Sequence, residues 1–465
     1  MPNKKWLLPL IMTLVVAAVF LPMLFTGYSE IRQGEESFAA GDYEQAAAAF
    51  EHAARLLPWR NDLYEKAGIS AGAAGDTAAA IRYLHDASQL SEQGWLTLAS
   101  AYYTEGDLEA ALQTAQSGLK GYPSSAGLYE LMAFIHRGQK DPDAERAALQ
   151  NQVLFDGEDV YAHYRLGLLL IFSDPEQAAA ELSLASSLDP EFDPAVQTLL
   201  AALELAAAET NPSTRAVTIG RALGLVDEWD LALAAFEDAI ELDASNAEAW
   251  AWLGEAKQQT GGGGRAELDR ALSLEGKSAI VRALRGMYWS RQEEYDLMLT
   301  EYAVAEQVEP ENPAWQASIG DAHYKRGDLA AALTAYQRAT ELAPEESTYW
   351  RLLAVLCAES GVHVEEIGLP AAQKAVELAP DEVAALDVLG WSYASSGRYF
   401  SAEQTLLDVI ARAPNYLPAH LHLAMTYLAE GNQAAAFKEL TFVRDADPEG
   451  ENGQVAVELL ERYFP

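Results

Sequence analysis

The chain has 465 residues, half of them apolar, which is long for one globular core and too apolar for a disordered chain. Its 70 acidic against 31 basic residues give a formal net charge of −39, so the surface repels phosphate backbones and no nucleic acid is expected among its partners. A single cysteine, Cys357, excludes an intrachain disulfide and any cysteine-based metal cluster.

In chain order the first feature is Trp6 to Phe25, a run without a charged residue and long enough to span a bilayer core. Lys4 and Lys5 precede it; Glu30, Glu35 and Glu36 follow it, with only Arg32 as a nearby positive charge. The charge bias predicts a cytoplasmic N-terminus at 1–5, an uncleaved transmembrane anchor at 6–25, and the rest of the chain outside the cytoplasm. A cleaved signal peptide is the alternative, but Leu24, Phe25, Thr26, Gly27 and Tyr28 make a poor cleavage site.

The remainder repeats itself. Gly320, Ala332, Tyr336, Ala339 and Pro344 form a ladder of rungs. The same ladder reads Gly34, Ala46, Phe50, Ala53, Pro58, and again Gly286, Met298, Tyr302, Ala305, Pro310. It returns as Gly390, Ala402, Leu406, Val409, Pro414 and as Ala424, Ala436, Leu440, Val443, Pro448. Gly220, Ala232, Phe236 and Ala239 follow it with Ala244 in the proline slot. Small rungs let two helices approach, the large rung fills the gap, and proline ends the second helix. Gly41-Asp42, Gly75-Asp76, Gly106-Asp107, Gly327-Asp328 and Gly431-Asn432 stand between the helices, glycine to end one and the polar residue to cap the next.

First rungs recur every 34 residues, as from Gly34 to Gly68, Gly220 to Gly254 and Gly286 to Gly320. Many units carry an aromatic early in the first helix, such as Tyr64, Trp95, Tyr129, Trp250 and Trp350, or late in it, such as Tyr102, Trp289, Tyr393 and Tyr427. Period and pattern resemble the tetratricopeptide repeat (TPR) family over about Gly27 to Pro448. The resemblance implies an all-α, TPR-type α-solenoid, a right-handed superhelix of helix pairs, here behind one N-terminal transmembrane helix.

Departures from the period are informative. Gly254 to Gly286 is 32 residues, so the Gly261 to Gly264 turn leads into a shortened second helix. Ala354 to Gly390 is 36, with extra residues around 362–368. The unit near Asp141 to Asp156 has lost its ladder, and its second helix stays open. Gly167 to Gly220 is 53, one period plus room for an extra helix at Pro194 to Glu209. The expected organisation is a first array at 27–190, an extra helix and boundary at 191–212, a second array at 213–450 and a C-terminal capping helix at 451–465.

No catalytic, metal or cofactor site is expected. Glu275-Gly276-Lys277-Ser278 ends like a phosphate loop, but Ala271 stands where that motif needs glycine. His420 and His422 are two apart on a helix and do not share a face. HExxH does not occur.

In the resembled family the first helices line the concave face. Positions projected onto it are Tyr161, Tyr164, Leu168 and Phe172 in the first array, and Asp321, Tyr324, Arg351, Trp391, Leu421 and Met425 in the second. These residue types suit a groove for a protein or peptide ligand. Lysines and asparagines that would clamp a C-terminal carboxylate are missing from the matching positions. The resemblance implies a membrane-tethered, extracytoplasmic adaptor in envelope assembly, secretion or surface-polysaccharide work. The alternatives are a cytoplasm-facing regulator of an envelope biosynthetic enzyme, or an enzyme with an appended repeat region, for which no stretch is left over.

Overall fold

Residues 7–464, which the computed structural model describes, form 26 α-helices, a 3-10 turn at Pro190–Phe192 and a π turn at Val364–Gly368, with no strand among them. The chain divides after Ala208 into two compact units. Among the described residues the first unit holds five helix pairs and ends on the single helix Asp193–Ala208. The second holds seven pairs and ends on the single helix Glu451–Tyr463.

The rungs are the contacts that make each pair. A Cβ placed on Gly220 would come within 2.6 Å of the Phe236 ring, and one on Gly286 within 2.5 Å of Tyr302. Gly34 lies equally close under Phe50, Gly320 under Tyr336 and Gly390 under Leu406. The large third rung thus sits directly over the glycine of its own pair. Ala232, Phe236 and Ala239 are fully buried together, as close packing of two backbones requires.

Sharp turns join the two helices of a pair. Gly41, Gly75, Gly106, Gly327 and Gly431 all take φ near +80°, where a side chain is costly. The next residue caps the second helix: Asp42 accepts from the Gln45 amide at 3.1 Å and Asp107 from the Ala110 amide at 3.0 Å. Lys140, Asp227 and Glu293 fill the same left-handed slot without being glycine.

The stretch that lost its ladder still forms a second helix, Pro142–Phe155, capped by Asp141. Glu145 and Gln152 are buried on it beside Ala148 and Leu149. Glu145 holds Arg165 of the next helix through two bonds, of 2.7 and 3.1 Å. An ion pair therefore replaces part of the apolar contact there.

The N-terminal expectation is corrected. Residues 1–5 and Trp6 lie outside the described residues, and among those described no helix is long and apolar enough to cross a membrane. The helix Leu7–Ala39 instead runs without a break into the first pair. Leu24 packs on the first core cluster, Gly27 lies against Leu57, and Ile31 is buried. The end of the apolar run thus covers the first repeat. A single-pass span, and the extracytoplasmic placement that rested on it, do not stand.

Two measurements test these local arguments. Replacing Glu293, whose φ is 59°, with glycine removes left-handed strain. Glu293→Gly is expected to stabilise the second unit against urea by about 1 kcal/mol; unchanged or lower stability would show the turn to be unstrained. The second concerns His420, which is buried and 2.7 Å from Glu439. Burial pushes the His420 pKa down, but hydrogen bonds to Glu439 and the Pro414 carbonyl outweigh it and hold the value above 6.5. The His420 bond holds the Glu439 carboxylate below its usual 4.5 against the opposing effect of burial. The histidine contribution is complete below pH 6.5 and fades as pH rises through its folded value; the glutamate contribution is complete above pH 4.5 and fades below it. The loss of melting temperature in His420→Gln should therefore be greatest between those limits and shrink in alkali. A constant loss from pH 5 to 9 would contradict the charged pair.

Candidate functional site: the face of the first helices

Which rank of helices faces inward follows from the packing within each unit. Leu63–Ala73 touches Glu92–Thr104, which touches Ala126–Gly138. In the second unit Pro212–Leu225 touches Ala247–Gln259, which touches Ala279–Arg291, and Ser347–Ser360, Val383–Ser395 and Leu417–Glu430 are linked in the same way. First helices press on first helices, so their rank is the inner side of each curved stack.

In the first unit this side carries a row of aromatic groups. Tyr103 meets Phe134 edge to face at 5.9 Å, and the Arg137 guanidinium lies over the Tyr161 ring at 5.9 Å and bonds its hydroxyl. Phe134 is 57% exposed and Tyr161 49%. Phe172 is exposed too. Tyr164 and Leu168 are not available: Tyr164 is 8% exposed with its ring tilted against Phe192, and Leu168 is fully buried. Tyr164 stands three residues before the first rung Gly167, and that position turns into the packing between pairs.

Phe134 and Arg137 were missed by the sequence reading. Part of the signal was available, because Phe134 follows the small residue Ala133 as Asp321 follows Gly320, Trp391 follows Gly390 and Met425 follows Ala424, although Leu168, in the same register after Gly167, is buried.

In the second unit the same side is knitted by polar contacts between neighbouring first helices. Lys325 reaches Asp321 at 3.2 Å and Ser290 of the preceding first helix at 3.0 Å. Burial, then the bond to Glu359, pushes the Tyr324 phenol up to about 12. Arg351 lies 3.5 Å from Glu382. Trp391 stacks on His422 at 4.1 Å, nearly parallel, and His422 bonds Asp387 at 2.8 Å. Met425 is 39% exposed, but Leu421 is buried in the last core cluster with Ala424 and Leu440 and cannot line a groove. His420 turns the other way, to Glu439 on the following helix, so the two histidines serve different neighbours.

The other motifs have local roles. Ser278 caps the helix Ala279–Arg291, and Arg282 holds the Gly276 carbonyl at 2.9 Å. Cys357 is buried, and burial pushes its thiol up to about 11, far from a reactive thiolate. Among the described residues no three histidine, cysteine or carboxylate groups are gathered to hold a metal ion.

Comparison with known proteins bears on the repeat. A tetratricopeptide repeat family model matches residues 65–126, 217–261 and 318–383. Human Superkiller complex protein 3 is 24% identical over 287 residues, which cover 57% of this chain and 17% of the relative. The chain thus spans less than a fifth of that protein's length. Yeast Tom70 is 15% identical, with 94% of this chain and 95% of that chain covered at a TM-score of 0.42. A tetratricopeptide repeat protein from Parabacteroides merdae is also 15% identical, with 54% and 97% covered at a TM-score of 0.44. The helix pairs, the rungs that seat them and the family match agree on the unit: residues 65–126, 217–261 and 318–383 carry tetratricopeptide repeats.

Proposed function

We propose that this protein is a scaffold that holds segments of partner proteins against the inner faces of its first helices, and that it performs no reaction of its own. The observation that carries the reading is the row of Tyr103, Phe134 and Tyr161 on consecutive first helices of the first unit, with two of the three rings about half exposed. Aromatic groups on three consecutive first helices suit an extended or helical segment better than a small substrate. Trp391 and Met425 offer a second, shorter apolar stretch in the second unit. The human relative is named as part of a complex, and a partner-holding array is the same kind of component. The net charge of −39 favours basic partners and disfavours nucleic acid.

Selection of a displayed random-peptide library on the immobilised full chain tests the idea. Selected peptides should bind wild type and lose about tenfold or more in affinity on either the Phe134→Ala/Tyr161→Ala or the Trp391→Ala/Met425→Ala double variant, with helicity by circular dichroism unchanged. No selectable peptide, or peptides indifferent to both double variants, would remove the support for a scaffold working through these faces.

A further inference from the structure

The rank of first helices opens between Ala126–Gly138 and Val160–Leu170, where the second helix Pro142–Phe155 floors a cavity of about 200 Å3. That is below the volume of a small-molecule cleft and suits one long side chain. Phe134 and Tyr161 wall it, and Glu130, Arg137, Glu145, Gln152, Asp159 and Arg165 supply its polar groups.

Gln152 is the informative residue. It is 3% exposed, and its Nε2 donates to Asp159 Oδ2 at 2.7 Å, which fixes the amide orientation. Its Oε1 is buried and has no hydrogen-bond partner. An orphaned acceptor of this kind is destabilising, and a donor entering the cavity relieves it. The charges lean the same way. Arg165 is taken up by both oxygens of Glu145. Glu130 and Asp159 line the same cavity. Burial first, and then the carboxylates of Asp159 and Asp156, raise the Glu130 pKa, as expected of an under-neutralised carboxylate.

We propose that this cavity receives the ammonium group of a lysine side chain from a partner polypeptide, an inference that rests on the scaffold reading. The three N–H donors of an ammonium can serve Gln152 Oε1, Asp159 and Glu130 together, while the lysine stem passes between the rings of Phe134 and Tyr161. Arginine fits less well, because its broad planar guanidinium matches a cavity of about 200 Å3 less closely than a compact ammonium does.

The peptide selection gives the test a second readout. Peptides that depend on Phe134 and Tyr161 should carry lysine at one fixed position. Replacing that lysine with N-acetyl-lysine or norleucine should weaken binding to the full chain about tenfold or more, and with arginine by less. Gln152→Met should cost the lysine peptide a similar factor while leaving the norleucine peptide unchanged. Glu130→Gln, at the exposed mouth, repeats the test if Gln152→Met proves poorly folded. Peptides that need Phe134 and Tyr161 but show no lysine preference would overturn the proposal and leave the scaffold standing. Equal binding of lysine and norleucine peptides would overturn it too, and would mean that water serves Gln152. If no peptide can be selected at all, both readings fall.

Discussion

The closeness of the two helices in each pair is the constraint from which the rest follows. Gly220 under Phe236, Gly286 under Tyr302 and Gly34 under Phe50 leave no room for a Cβ, so each of these pairs needs glycine at the first rung beneath its large third rung. Alanines fill the remaining contact at almost no exposure, as at Ala232 and Ala239. With the pair fixed, its two outer surfaces are fixed as well, and the next pair has one way to stack. The inner row of first helices is therefore a consequence of how the glycines are covered.

Much of this was legible in the sequence because it depends on small and large residues at fixed spacing. The turns were legible for a similar reason: glycine at φ near +80° followed by a capping aspartate or asparagine is a local matter. The helix Pro142–Phe155 was not legible, because its buried face includes Glu145 and Gln152, and a charged residue facing inward carries no apolar signal. Burial there depends on Arg165, which comes 20 residues later in the chain.

The inner face was only partly legible. Tyr324 and Trp391 touch neighbouring first helices and Met425 is partly exposed, yet Tyr164 and Leu421, each three residues before a first rung, turn into the packing between pairs. Polarity alone cannot separate a large apolar residue that lines a groove from one that seals a seam. The apolar run near the N-terminus misled for the same reason. Leu24 at its far end, like Ile31 beyond it, packs on the first repeat, and a hydropathy pattern does not say what an apolar surface will meet.

The π turn at Val364–Gly368 has a wider consequence. The first rungs Ala354 and Gly390 lie 36 residues apart, two more than the period, yet Gly390 still seats under Leu406 as its counterparts do. The surplus is absorbed as one widened coil between the paired helices, with Gly368 pressed against Cys357, and everything downstream keeps its phase. The short helix Arg265–Leu274 absorbs a deletion in the same place. Inter-helix turns are thus the elastic joints of the array, where residues can be added or removed without shifting the phase of the first rungs.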